Sequence, residues 1–418
     1  MKSDAVVIGG GVVGLGAALT LIESGLEKVT LLENKVIASG GSGLGTGSVH
    51  TQRWYATDSD LIQRTRSIVK RLATTTNGVF DLYPVGRLTV VGGADGEIVS
   101  AYGRHLRTIG IDAVELSRNE LKARFPEMNV TDIDRALFTR EDGVLYPPAL
   151  SWALAGSFRK AGGTIWEGCA ATGLKIAGNR IRGVSLSNDD IIETDRVIVA
   201  AGVWSRKLLQ TAGLDLALTH AVTHNSVMTI GRRDLWSQVP SLLDGVLGVI
   251  AIPRNPGTIM AANTAGEYQA PISRSENVMR SSTVELIERD EEFKAETLQQ
   301  QASVLAQLRH RYSGYDIRGI VGHWAGLLDG TPDNHPLLGA FPGIDGLWVG
   351  CGLTGYGVQR GPGVGEALAH LALGKEPLVD VSAYAVGRFD DHEDFALDLS
   401  SDNPFEGFRN MGVHVPTS

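Results

Sequence analysis

The sequence predicts an α/β plus α+β protein in which a Rossmann-like dinucleotide-binding domain is interleaved with a mixed-sheet substrate-binding domain. Three observations predict it. Residues 5–33 carry strand, glycine-rich turn, helix and second strand in the spacing of one βαβ unit. Further strand-like runs at 163–199 resume that domain, whereas 221–262 alternates strand-like runs with turns. The 52 glycines of this 418-residue chain cluster at 9–16, 40–47 and 350–365, marking places where backbone approaches a ligand closely.

Taken in order, Ala5–Ile8 is a buried strand, Val12–Ser24 an amphipathic helix ended by Gly25, and Lys28–Leu32 a second buried strand. Between the first two lies Gly9-Gly10-Gly11-Val12-Val13-Gly14, a GxGxxG turn. Gly9 allows the tight turn, Gly11 lets a pyrophosphate reach the backbone at the positive helix end, and Gly14 lets the helix sit close on the strand. Glu33 ends the second strand, where a carboxylate accepts from ribose hydroxyls and disfavours a 2′-phosphate. The turn alone would serve NAD or FAD; its extreme N-terminal position and the second glycine cluster, Ser39–Gly47, favour a built-in FAD. Pro147–Ala161 is helical, Gly163–Trp166, Ile181–Ser187 and Arg196–Val199 are strands, and Gly178-Asn179 is a turn. Val284–Arg311 has a long charged helical pattern, and Phe389–Ser418 is an acidic, Gly/Pro-punctuated tail.

Composition excludes several classes. Asp plus Glu number 47 against 38 Lys plus Arg, a net charge of −9, and no dense basic block could neutralise a phosphate backbone, so no nucleic acid is expected. Cys169 and Cys351 lack the spacing of a disulfide framework or a zinc site, and no metal is expected. No signal peptide is read at the N-terminus, and no run of about 18 apolar residues occurs. The expected location is the cytoplasm, with peripheral attachment at the inner membrane left open.

Near the C-terminus, Trp324-Ala325-Gly326 and Thr331-Pro332-Asp333-Asn334-His335-Pro336 precede Gly352-Leu353-Thr354-Gly355-Tyr356-Gly357-Val358-Gln359-Arg360-Gly361-Pro362, with Pro362 expected near the first turn of a helix. Such a helix start stabilises the negative charge of a reduced flavin. With the N-terminal GGGVVG and Glu33, the SGGSG stretch from Ser39, Glu141-Asp142-Gly143 and the segment Val197–Ser205, these runs resemble the D-amino acid oxidase superfamily. The likeness is closest to its sarcosine oxidase, glycine oxidase and proline dehydrogenase β-subunit branch. It covers nearly the whole chain.

The resemblance implies FAD, with domain pieces 1–80, 141–219 and 320–388 binding it, 81–140 and 220–319 binding substrate, and 389–418 forming the tail. Cofactor contacts are expected from Gly9, Gly11, Val12, Val13, Gly14, Glu33, Asn34, Ser39, Ser42, Gly45, Thr46, Gly47, Ala170, Ala201, Gly202, Trp204, Gly326, Gly352, Gly355, Tyr356, Gly357, Val358 and Gln359. His50 and Tyr356 are placed to line the pocket, His224 is a further contact, and His335 shapes a turn. Arg53 and Arg360 are the candidate clamps for a substrate carboxylate, since guanidinium supports bidentate contact. Three departures matter. Gly326 and Gly45 stand where relatives attach flavin through cysteine or histidine, so FAD is expected to be non-covalent, and Gln359 stands where sarcosine oxidases use a lysine. The implied reaction is hydride transfer from the amine α-carbon of a secondary or D-amino acid (sarcosine-, proline- or hydroxyproline-like) to flavin N5. The acceptor of the electrons is oxygen or a quinone or partner protein, and a hetero-oligomer is one option. A 2-hydroxy acid dehydrogenase and a flavin-carrying subunit are the alternatives.

Overall fold

The computed structural model describes residues 1–52, 56–75, 82–263, 291–333 and 335–389. Its first layer is a six-stranded sheet in the order Leu337–Ala340, Leu347–Cys351, Val197–Val199, Ala5–Ile8, Val29–Leu32, Thr164–Trp166. All neighbours are parallel except the outermost pair, Leu337–Ala340 with Leu347–Cys351. A parallel strand covered on both faces needs a continuous apolar run, which AVVI and VTLL supply. The helix Val12–Glu23 crosses from the first strand to the second and packs along the helix Gly357–Ala372. Their backbones come close because the contact is lined by Gly16, Gly361 and Gly365. Pro362 lies inside the C-terminal helix, which starts earlier, at Gly357, than the proline suggested. A three-stranded antiparallel flap, Ala171–Ala177, Arg180–Leu186 and Ile191–Glu193, follows, with its first turn at Gly178-Asn179.

The second layer is an eight-stranded mixed sheet in the order Ile317–Gly330, Thr219–Ile230, Thr258–Asn263, Val249–Pro253, Ser241–Asp244, Arg87–Val91, Arg135–Thr139, Ala113–Ser117. Only the Ser241–Asp244 and Arg87–Val91 pair is parallel. The strand Ile317–Gly330 runs antiparallel along Thr219–Ile230 for nearly its whole length. The division expected between residues 319 and 320 therefore falls inside a strand of this sheet. The Trp324–Gly330 run belongs to the larger sheet, and the chain returns to the first sheet only at Leu337. The helix Glu291–Arg311 covers one face; buried Arg311 ties it to the sheet through Asp244 at 2.5 Å and to Asp132 at 2.7 Å. The earlier part of the expected helix, 284–290, lies outside the described residues, as do the expected division at 80–81 and the tail beyond Phe389. No helix among the described residues is long and apolar enough to cross a membrane.

Candidate active site

The carboxyl ends of Ala5–Ile8 and Val29–Leu32 open onto the glycine turn. Gly9 has φ of +115°, a conformation that only glycine adopts cheaply, and a Cβ there would drive into the backbone of Ala200. A Cβ on Gly14 would strike the carbonyl oxygen of Gly9. The helix N-cap is Gly11, with no side-chain cap of its own and no acidic residue in the first turn. Its Cβ position is 2.9 Å from Ser42 Oγ, and Ser42 Oγ accepts from the Val12 N–H at 3.0 Å. The Glu33 carboxylate accepts from the N–H groups of Gly10 and Lys35, each at 2.8 Å, which fixes it at the strand end with acceptor capacity to spare. Ala170 and Cys169 lie beside this end, the Cys169 N–H donating to Glu33 O. These features fit a dinucleotide: a helix N-terminus with no acidic residue in its first turn for the pyrophosphate, and a carboxylate beyond it for a ribose.

The second glycine cluster forms the short helix Gly41–Leu44 and then the strand Ser48–Val49. Trp204, from the turn at Ala201-Gly202, lies over Gly40. Leu44 rests on the larger sheet, where Trp324 Nε1 donates to Leu44 O at 2.9 Å and Gly326 offers no side chain. Arg254 donates to Thr46 O at 3.4 Å, with its guanidinium 5.5 Å from the Trp324 ring centre and 5.9 Å from that of Tyr146. Burial lowers the Arg254 guanidinium from its usual range. The opposite wall is the loop Gly352–Tyr356 entering the helix Gly357–Ala372, with Asp329 accepting from the Gly352 N–H at 2.7 Å. Burial pushes the Asp329 carboxyl up, while backbone N–H groups and Arg360 oppose the shift.

His50 and Tyr356 meet across this cleft, edge to face at 6.1 Å. The His50 N–H donates to Gln359 Oε1 at 3.1 Å, and the Gln359 amide nitrogen is buried without a partner. Arg360 turns elsewhere. Its guanidinium is fully buried and donates to Asp58 and to Leu353 O, its Nε making no hydrogen bond. Successive helical residues point about 100° apart. Gln359 therefore faces the cleft and Arg360 the interior, so the clamp expected of Arg360 is corrected to a support of the loop. Arg53 lies outside the described residues, and so does Asn334. His224 is also displaced from its expected place. It stacks on His323 at 5.5 Å and lies 3.8 Å from Glu296 of the covering helix, on the sheet face away from Trp324. Burial holds His323 down to about 4. His335 supports a turn, its N–H donating to Asp333 and its carbonyl accepting from Thr331 Oγ1.

Sequence reasoning missed Arg87, Ser241 and Arg254 on the larger sheet and Asp58 beneath the loop. A basic residue opening the otherwise apolar run Arg87–Val91 was the available signal for the first.

The DAO family profile, described as FAD dependent oxidoreductase, matches residues 4–371. The chain belongs to this family. FAD is accordingly its cofactor, and the dinucleotide turn, Glu33 and the two glycine loops are this DAO chain's candidate means of holding it. Mitochondrial sarcosine dehydrogenase of Homo sapiens is 26% identical over 98% of the chain, which spans 45% of that longer protein. Glycine oxidase of Pseudomonas aeruginosa is 27% identical over 92% of the chain and 99% of the relative. Among solved structures, L-proline dehydrogenase from P. horikoshii superposes with a TM-score of 0.80 at 22% identity, covering 94% of this chain and 99% of that one. Glycine oxidase from Geobacillus kaustophilus gives 0.76 at 18% identity, covering 93% and 99%. These likenesses show the DAO fold.

With Gly326 facing Leu44 and Gly45 in the loop, neither position carries a nucleophile for flavin attachment. Acid precipitation of the yellow protein is expected to release all of its flavin into the supernatant. Flavin retained in the pellet would show a covalent link through some other side chain.

Proposed function

We propose that the chain oxidises a secondary or D-configured amino acid of small size, such as a sarcosine-, proline- or hydroxyproline-like compound, at the carbon bearing the amine. The carrying observation is the make-up of the cleft. Its described polar groups, His50, Tyr356 and Gln359, orient a ligand, whereas the nearby carboxylates of Asp58, Asp142 and Asp329 are spent on the protein. Asp142 accepts from Thr51 N and Oγ1 at 2.8 and 3.0 Å, and its burial pushes its carboxyl up against the pull of these bonds. Among the described residues the carboxylates around the cleft are engaged, which suits an amine, since an amine reaches its neutral form by giving a proton to water. An alcohol would need a protein base to take its proton. The likeness to glycine oxidase over nearly its full length, and to less than half of sarcosine dehydrogenase, supports the same substrate class.

The residues then divide the work. Gly9, Gly11, Val12, Val13, Gly14 and Ser42 hold the pyrophosphate end, Glu33 with Asn34 and Ala170 the adenosine end. Ser39, Gly45–Gly47, Ala201, Gly202, Trp204 and Gly326 line one side of the ring site, and Gly352 with Gly355–Gln359 the other. Bound FAD supplies the two-electron acceptor for the hydride of the amine carbon. Tyr356 and His50 would orient the substrate amine toward the bound cofactor. The product imine hydrolyses with one water to a carbonyl compound and the freed amine. The electrons would pass on to oxygen, or to a quinone or partner protein in a hetero-oligomer.

Steady-state turnover of the purified chain over a panel of N-methyl, cyclic secondary and D-amino acids and 2-hydroxy acids tests this reading, with a dye acceptor and with peroxide detection in air. Turnover confined to the amines is expected. Turnover of 2-hydroxy acids alone would overturn the substrate class.

A further inference from the structure

The face of the eight-stranded sheet that meets the Leu44–Gln52 segment holds a buried cation with no carboxylate in ion-pair contact among the described residues. Arg87 opens the strand Arg87–Val91 and is 5% exposed. Its register partner Ser241 lies on the same face, and alternation carries that face through Ile252 and Met260 to Val227 and Trp324. The guanidinium makes one hydrogen bond, from Nη1 to Ser241 Oγ at 2.9 Å, and Ser241 Oγ lies 3.1 Å from Ser48 Oγ. Its Nε is buried with no partner, and among the described residues no carboxylate lies in ion-pair contact with it. Among the described residues the other two buried arginines differ: Arg311 is paired with Asp244 and Asp132, and Arg360 with Asp58. Burial pulls Arg87 down to about 10, with the Tyr356 phenol foremost among the groups opposing that shift, so it stays a cation at neutral pH close to the cleft. The Asp142 carboxylate also opposes the shift, but it is bonded to Thr51 and Thr139 and makes no ion-pair contact with Arg87, and a desolvated cation without a counter-charge in contact is costly to maintain. Such a group is expected where a ligand completes it.

We propose that Arg87, positioned by Ser241, binds the carboxylate of the substrate in the cleft beside Tyr356. This rests on the amino-acid reading above and deepens it: the substrate carries a carboxylate beside the oxidised amine, and its anchor is a strand residue of the larger sheet. Arg360 is thereby relieved of that role by geometry. A guanidinium with one side held by a serine retains donors for a two-point contact with a carboxylate.

Calorimetric titration of the FAD-loaded chain with pyrrole-2-carboxylate and with pyrrole-2-carboxamide tests the assignment without turnover. The wild type is expected to favour the carboxylate. Arg87→Met is expected to weaken carboxylate binding roughly 30–100-fold while leaving the carboxamide unchanged. Its flavin content is expected to be unchanged and its Tm equal or higher, because an apolar side chain of similar length removes an unpaired charge. Arg87→Lys, which keeps the charge and loses the fork, is expected to fall between the two and serves if the methionine variant does not fold. Unchanged carboxylate affinity in either variant would overturn the proposal. So would loss of flavin, which would assign the cation to the cofactor, or equal losses for both probes with a lower Tm, which would mark a structural role. Carboxylate binding that depends on Arg87 in a chain oxidising no amine would overturn the amine reading and leave the anchor standing.

Discussion

Gly14→Ala protein is expected to purify colourless. The Cβ it adds meets the carbonyl oxygen of Gly9, a backbone atom that cannot rotate away, and behind it Val7 Cγ1 at 3.4 Å. Relief requires the helix Val12–Glu23 to lift from the strand Ala5–Ile8, which would move the helix N-terminus and Ser42 on it off the proposed pyrophosphate position. Overpacking of this kind costs about 1–3 kcal/mol, and the lost anion contacts add to it, so FAD affinity is expected to fall by about 100-fold or more. Gly156→Ala is the matched control. Gly156 lies in the helix Pro147–Lys160, a Cβ there meets nothing within 4 Å, and the change is expected to stabilise by about 0.5–1 kcal/mol with flavin retained. Flavin content and Kd measured after reconstitution check both, and a yellow Gly14→Ala protein with wild-type Kd would contradict the role given to the turn.

Asp58→Ala is expected to destabilise the chain by about 3–5 kcal/mol, because it leaves the Arg360 guanidinium buried and uncompensated. Asp58 sits in the first turn of the helix Ala56–Thr75, fully buried. It accepts from Arg360 and from Tyr384 Oη at 2.9 Å, and lies 3.6 Å from His335 Nδ1. One carboxylate thus ties together the helix after the glycine loop, the C-terminal helix and the segment before the tail. Asp58→Asn, which keeps the shape and some hydrogen bonds, is expected to lose less. The exposed pair of Arg232 and Asp234 gives the contrast, since Asp234→Ala is expected to leave the urea unfolding midpoint unchanged. Urea unfolding followed by tryptophan fluorescence distinguishes them, and an Asp58→Ala loss below about 1 kcal/mol would contradict the buried-network account.

The sequence was most legible where local rules and the fold agree. The first strand, turn, helix and second strand lie within a residue or so of their expected bounds, since a parallel core strand leaves an uninterrupted apolar signature and the glycines leave another. Pairing between distant strands was not legible. The run Trp324–Gly330 looks like a prelude to the C-terminal glycine loop, and only its hydrogen bonds to Thr219–Ile230 reveal its sheet. Side-chain direction was hidden in the same way: Gln359 and Arg360 are adjacent in sequence, yet one faces His50 and the other Asp58. Arg87 was hidden because nothing in a strand pattern shows whether a buried cation will have a partner.

The central claim is that this chain holds FAD and reduces it with a carboxylate-bearing amine. Anaerobic titration of the purified holoprotein, followed by the visible absorbance of the oxidised flavin, tests it most directly. Bleaching by one equivalent of a small secondary or D-amino acid, with none by the matching 2-hydroxy acid, is the predicted result; a flavin that stays oxidised with every amine and bleaches with dithionite alone would contradict it.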